Sequence, residues 1–486
     1  MNLAPSRIAR WIVVCIALIC LVAMWCQKIT GARAEHDNAQ VVQMAFNLER
    51  YGVISMEENP PFVPTDYREP IPVLITALGI KTIDAIVGPA PAEAYFSGDR
   101  VKYLKYQNLL WLALLCAGAF WAAEALTGSV LLGIVAVVLV DFPFTGSHWG
   151  TAIVNDLFTE IPAAPALMFA CATLAVGYSR RSLGLMAIAG VLFGVVTLIK
   201  AALFYVFIGV VAVLLCFYLL QRPPIPTRNA IRELAILIVA WACVLAPWMY
   251  RNHVELGSFQ LSQRSGLALW HRALEDQMTA QEYLGTFYVW APTNSLHKLM
   301  GAALGFAPAD LERGGRLQRL NSTLDSNYAA DDAAAEQAGR PDQAISYYSQ
   351  ARAERVKLEQ ELGKSGHLHA DLEADDVLKQ RAIALTLKHP WEHLALTLPF
   401  LWRGAPLAFS ILACALIVGV RRRRYDLALF ALPAFGLVLF YALFTMFLGR
   451  FAIPAYFVGI VMLVVLVGTL WGSRSAVGAQ QPRVAA

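Results

Sequence analysis

Residues 157–220 read LFTEIPAAPALMFACATLAVGYSRRSLGLMAIAGVLFGVVTLIKAALFYVFIGVVAVLLCFYLL. Three apolar runs, 157–178, 182–198 and 204–220, are separated only by Ser179-Arg180-Arg181 and by a few residues around Lys200. A hydrocarbon core of about 30 Å is crossed by roughly 20 residues of helix. The stretch therefore predicts consecutive membrane spans joined by short turns. A single long, tilted helix over 182–220 is the alternative, and it would reverse the side of everything after it.

The same pattern recurs outward in both directions. Further spans are expected at 11–27, 106–126, 129–147, 234–250, 393–420, 426–447 and 451–471. The composition agrees: 58% of the 486 residues are apolar and 15% are charged, with a mean hydropathy of +0.53. A soluble domain carries about a quarter charged residues. The net charge of +4 is too small to argue for nucleic acid. The eight cysteines lie in or beside apolar runs and show no metal-ligand or redox spacing. The run at 11–27 follows Arg7 and Arg10 and could be a signal peptide, but Trp25 and Gln27 end it without a small-residue cleavage site, so it reads as a retained span.

One apolar run needs a separate argument. Residues 71–88, IPVLITALGIKTIDAIVG, contain Lys81 and Asp84, and charge at bilayer depth is costly. The connecting loops hold Arg180 and Arg181, then Arg222, Arg228 and Arg232, then Arg421 to Arg424. If 71–88 does not span, all of these share a side with Arg7 and Arg10, as the bias of Lys and Arg towards the cytoplasm requires. The expectation is an all-α polytopic membrane protein of about ten spans, both termini cytoplasmic, in a bacterial inner membrane. Residues 71–88 then form an amphipathic helix along the outer interface.

Three regions follow. Residues 1–250 form a transmembrane module with a first outer loop at 28–105. Residues 251–391 form an outer, periplasmic segment, with 18 acidic and 15 basic residues and helical patterning at 341–362. Residues 392–486 return to the membrane and end in a cytoplasmic tail.

Ionisable residues at the outer ends of the spans are the candidates for chemistry. Asp37 begins a helical pattern marked by Val41, Met44, Ala45 and Leu48. It suits an N-cap and equally a catalytic carboxylate. Asp156 and Glu160 are four apart, on one face of a helix opening the fourth span, where they can serve its dipole or a reaction. Arg68, Lys102, Lys105, Lys200, Arg251 and Arg450 fall on the same outer side. Singly each can snorkel; together they can hold a phosphate. Asp37, Asp156 and Glu160 could also supply hard oxygen ligands to a divalent metal. No Walker loop, dinucleotide fingerprint or HExxH motif occurs.

In order and sidedness these residues resemble the GT-C glycosyltransferases, the broad group containing protein O-mannosyltransferases and lipid A aminoarabinose transferases. The likeness rests on Asp37 after the first span and on Tyr67-Arg68-Glu69-Pro70 leading into the 71–88 helix. It continues with Asp156 and Glu160, then Lys200, then Pro247-Trp248-x-x-Arg251-Asn252 with Gly257. His389-Pro390 and Arg450-Phe451 with Pro454 complete it. It covers about residues 10–260 and 385–470. One departure is Asp37-Asn38, where the family often has Asp-Glu, which leaves Glu35 as a rival to Asp37. The resemblance implies an enzyme that moves a sugar from a polyprenyl-phosphate carrier to a lipid, glycan or protein acceptor on the outer face. Asp37 would be the general base, Asp156 and Glu160 would assist, and Arg68, Glu69, Lys102, Lys105, Lys200, Arg251 and Arg450 would bind the phosphate or the substrate. A secondary transporter or a non-catalytic assembly protein is the competing class; no internal repeat favours the transporter.

Overall fold

A computed structural model describes residues 24–145, 153–220, 227–263, 265–367 and 369–478, with Cys15 and Ile19. The described residues are helical throughout, with turns and short 3-10 segments between helices. The chain divides into two compact units: Met1–Leu261 with Ser410–Leu437 and Ile453–Ala486, and Ser262–Phe409 with Val438–Ala452.

In the first unit the helices are α1 (His36–Tyr51), α2 (Pro70–Val87), α3 (Asp99–Lys105), α4 (Gln107–Thr127), α5 (Val130–Thr145), α6 (Glu160–Arg180), α7 (Leu183–Ile199), α8 (Leu203–Leu220) and α9 (Thr227–Leu256). Helix α6 is the axis of this unit. It is buried nearly all round and packs against α4 and α7. Such all-round burial needs an all-round apolar sequence, which is what 161–178 provides. Helices α7 and α9 approach closely because Gly190 and Gly194 lack side chains. A Cβ at Gly190 would stand 2.3 Å from the Leu237 carbonyl oxygen, and one at Gly194 2.6 Å from Val244 Cβ. Outside the bundle, α1 lies on α2 over Val42, Ala45, Phe46, Val73, Ala77 and Ile80.

The two-helix reading of 182–220 holds. Lys200 leaves the helix (φ −148°, ψ 98°) and α8 starts afresh at Leu203. The expected first span, 11–27, lies mostly outside the described residues.

The second unit contains α10 (Ser265–Glu275), α11 (Ala280–Val289), α12 (Asn294–Leu304), α13 (Ala329–Gln337), α14 (Tyr347–Lys364), α15 (Ala370–Lys388) and α16 (Pro390–Gly404). Asp375 fixes the start of α10, accepting from Gly266 N at 2.8 Å and Leu267 N at 3.0 Å. Leu358, Ala374 and Leu378 form a small core between α14 and α15. The chain continues through α17 (Pro406–Arg421), α18 (Tyr425–Phe444) and α19 (Ile453–Gly478).

By length and composition seven helices among the described residues can cross a membrane, or eight if one bent pair is a single span. Pro70–Val87 is among the seven, so its length and hydropathy do not by themselves confine it to the interface. The span expected at 393–420 is not one straight helix: α16 and α17 are bent by 108° about Ala405. Ala405 has φ −159° and ψ 56°, outside the helical region, and Pro406 cannot donate to the preceding turn.

Candidate active site

Helix α1 starts after Glu35, which holds the cap position in extended conformation without a side-chain bond to the helix. Asp37 is therefore not the N-cap; it sits in the first turn, and its carboxylate is paired with the Arg68 guanidinium. Arg68 is buried, and its Nε donates to Gln40 Oε1 at 2.9 Å. Asp37 and Gln40 are one turn apart, so one face of α1 receives Arg68. The Asp37 side chain stays 22% exposed, against 6% for Arg68. The carboxylate is thus fixed by Arg68 while its side chain stays partly exposed.

A second segment fixes Arg68. Arg251 Nη1 donates to the Thr65 carbonyl at 3.1 Å, and its guanidinium also pairs with Glu255. Asn252 Nδ2 donates to the Gln260 carbonyl at 2.7 Å and lies 3.4 Å from Asp66 Oδ2. Trp248 Nε1 donates to the Leu261 carbonyl at 2.9 Å. The Pro-Trp-x-x-Arg-Asn element near the end of α9 therefore holds the loop that delivers Arg68.

Asp156 corrects an expectation. It does not share a helical face with Glu160, because α6 begins at Glu160 and Asp156 lies in the preceding turn. Asn108 on α4 donates to the carbonyls of Val154 (2.9 Å) and Asp156 (2.8 Å), satisfying them outside any helical ladder. The Asp156 carboxylate accepts from Asn38 Nδ2 at 2.8 Å, tying this turn to the first turn of α1. Glu160 instead meets Lys200 at 2.9 Å, both about 95% buried. The break after α7 that frees Lys200 from a helix also exposes the Ala201 amide, which is 3.4 Å from Glu69 Oε1 at the start of α2.

The remaining cations differ in role. Lys105 is buried and donates to the carbonyls of Ala32 (2.7 Å) and Thr30 (3.3 Å), so it anchors the chain entering α1. Lys102 is half-buried; its backbone N–H donates to the Gly98 carbonyl at 3.2 Å, and its side chain makes no hydrogen bond or ion pair to another described residue. Arg450 belongs to the second unit, on a 3-10 turn, with its guanidinium 5.4 Å from the Phe451 ring centroid.

Among the described residues no group of three or more His, Cys, Asp or Glu side chains is placed to hold a metal ion. The three acids instead meet Arg68, Asn38 and Lys200, which does not fit a divalent cation on that set. Sequence reasoning missed Gln40, Asn38 and Asn108. Gln40 was legible as the next turn below Asp37; the two asparagines carry no charge or periodic signal. A shallow recess, with room for little more than a single water molecule, lies beside this region, lined by Pro72, Ile75 and Thr76 of α2, Gln107 and Trp111 of α4, and Leu157, Phe158 and Pro162.

No protein-family model matches the chain, and no curated protein matches it. Among solved structures it is similar to ArnT from Cupriavidus metallidurans bound to undecaprenyl phosphate. That likeness has a TM-score of 0.38 at 14% identity, over 96% of this chain and 79% of that one. For the same protein in the apo state the values are 0.37, 12%, 92% and 77%.

Proposed function

We propose that this chain is a membrane glycosyltransferase that takes a sugar from a polyprenyl-phosphate carrier and passes it to a lipid, glycan or protein acceptor outside a bacterial inner membrane. The observation that carries the reading is the Asp37 carboxylate: in the first turn of a helix next to the membrane bundle, paired with a buried arginine, and partly exposed. A general base needs reach to its substrate and a fixed geometry. Arg68 and Gln40 supply the second, and the 22% exposure supplies the first.

In the proposed step the acceptor hydroxyl gives its proton to Asp37. Its oxygen bonds to the anomeric carbon, and the bond from that carbon to the phosphate oxygen breaks. The electron pair leaves on the lipid phosphate. One displacement on the opposite face inverts the anomeric centre. In this reading Arg68 and Lys102 meet the leaving charge, and Lys200 orients Glu160.

The test is transfer from a radiolabelled pool of polyprenyl-phosphate sugars in membranes, comparing wild type with Asp37→Asn. The expected result is loss of transfer by about 100-fold or more, the scale of a general base, with insertion unchanged. Unchanged transfer would return the search to Glu35, Asp156 and Glu160. No transfer by the wild type from any carrier would favour a transporter.

A further inference from the structure

Helix α16 has two apolar faces. Leu396, Pro399, Phe400 and Gly404 are buried against the second unit. Phe400 stacks on Trp290 with ring centroids 4.9 Å apart, and Trp402 Nε1 donates to the Phe287 carbonyl at 3.1 Å. The opposite face holds Trp391, Leu394 and Leu398, exposed at 77%, 52% and 60%. Their spacing is i, i+3, i+7, one stripe of a helix. Ile383 and Leu387 continue the exposed apolar surface along the end of α15. Nothing in the packing of the second unit requires large side chains at these positions, and leaving them in water is unfavourable.

What covers the stripe follows from the chain itself. Helix α16 leads directly into α17, apolar enough to be read with it as a membrane span, and the two are bent by 108°. With the 16-residue α17 taken as the crossing part of that pair, a helix joined to it near a right angle lies close to the bilayer plane. Trp391 stands at its start, beside the polar Lys388, His389 and Glu392, an arrangement suited to the headgroup boundary. We propose that α16, with the end of α15, is an interfacial anchor whose Trp391–Leu394–Leu398 stripe inserts into the outer leaflet. It holds the second unit against the lipid surface, and it stands whether or not the chain transfers sugar.

The test uses the full-length protein in phosphatidylethanolamine–phosphatidylglycerol vesicles carrying an alkyne-tagged phospholipid. The photocrosslinker p-benzoylphenylalanine replaces Leu394 or, separately, Leu398. Leu407, exposed on α17, serves as the in-span reference, and Glu361, on the charged helix α14, as the water-facing one. The expected result is lipid adduct at 394 and 398 close to that at 407 and at least several-fold above that at 361. Lipid labelling at 407 but not at 394 or 398 overturns the proposal. So does a dominant adduct to a second copy of the chain, and so does absence of lipid labelling at 407, which removes the span on which it rests.

Discussion

Replacing Glu160 by Gln tests the buried pair that closes the bundle beneath the candidate site. Glu160 and Lys200 meet at 2.9 Å with side chains only 4% and 5% exposed. At an effective dielectric constant near 20, unit charges about 4 Å apart attract by roughly 4 kcal/mol. Removing one partner also leaves the other buried without compensation, so the single replacement costs about 3–5 kcal/mol. Thermal scanning fluorimetry in detergent should show Tm falling by on the order of 5 °C. The double variant Glu160→Gln with Lys200→Met removes both charges and should recover most of that loss, because apolar replacement of a buried pair is often neutral. Sugar transfer separates the roles. If Lys200 only braces the turn between α7 and α8, transfer recovers with stability; if its charge serves the reaction, transfer stays low. A Tm for Glu160→Gln within 1 °C of wild type, roughly the scatter expected for a surface change, would refute the premise that the pair is buried and formed.

Two further outcomes follow from packing and burial. At the close crossing of α7 and α9, Gly190→Ala puts a Cβ 2.3 Å from the Leu237 carbonyl oxygen, so the helices must part; the expected cost is about 1–3 kcal/mol, read as a lower Tm, while Gly209→Ala, with open space at its Cβ, should leave Tm unchanged or raised. In the second unit, burial pushes the Glu275 carboxyl up from 4.5 to about 7, against the pull of Arg403 and Arg272. A raised carboxyl lends its full stability below pH 4.5 and loses it as pH rises through 7, so Glu275→Gln should gain stability relative to wild type between pH 5 and pH 8, by on the order of 3 kcal/mol. His271 beside it is driven down to about 3 by burial and by Arg403 and Arg272, and its contribution falls as pH drops below 6.5, so the comparison with Glu275→Gln isolates the carboxyl. Equal Tm shifts at both pH values would mean Glu275 is ionised normally in the folded protein.

Sequence alone determined the class of this protein, because a bilayer imposes a length and a composition on any helix that crosses it. The runs from 106 to 220 and at 426–447 appear as helices within about three residues of where hydropathy put them, while those expected at 234–250 and 451–471 extend six or seven residues further, as Thr227–Leu256 and Ile453–Gly478. Lys200 was legible as a break for the same reason: a charge between two apolar runs has to be explained. Local pattern also located Asp37 at the start of a helix. Partners were not legible. Nothing in the sequence joins Arg68 to Asp37 and Gln40, Asn38 to Asp156, or Asn108 to the carbonyls that keep Asp156 out of α6. These depend on where loops 31, 118 and 46 residues distant in the chain are folded back. The 108° bend at Ala405 was equally hidden, since hydropathy averages over a window and is blind to direction. Apolar periodicity records which side of each helix avoids water; which neighbour it meets, and which carboxylate keeps a door to solvent, is decided only when the helices pack.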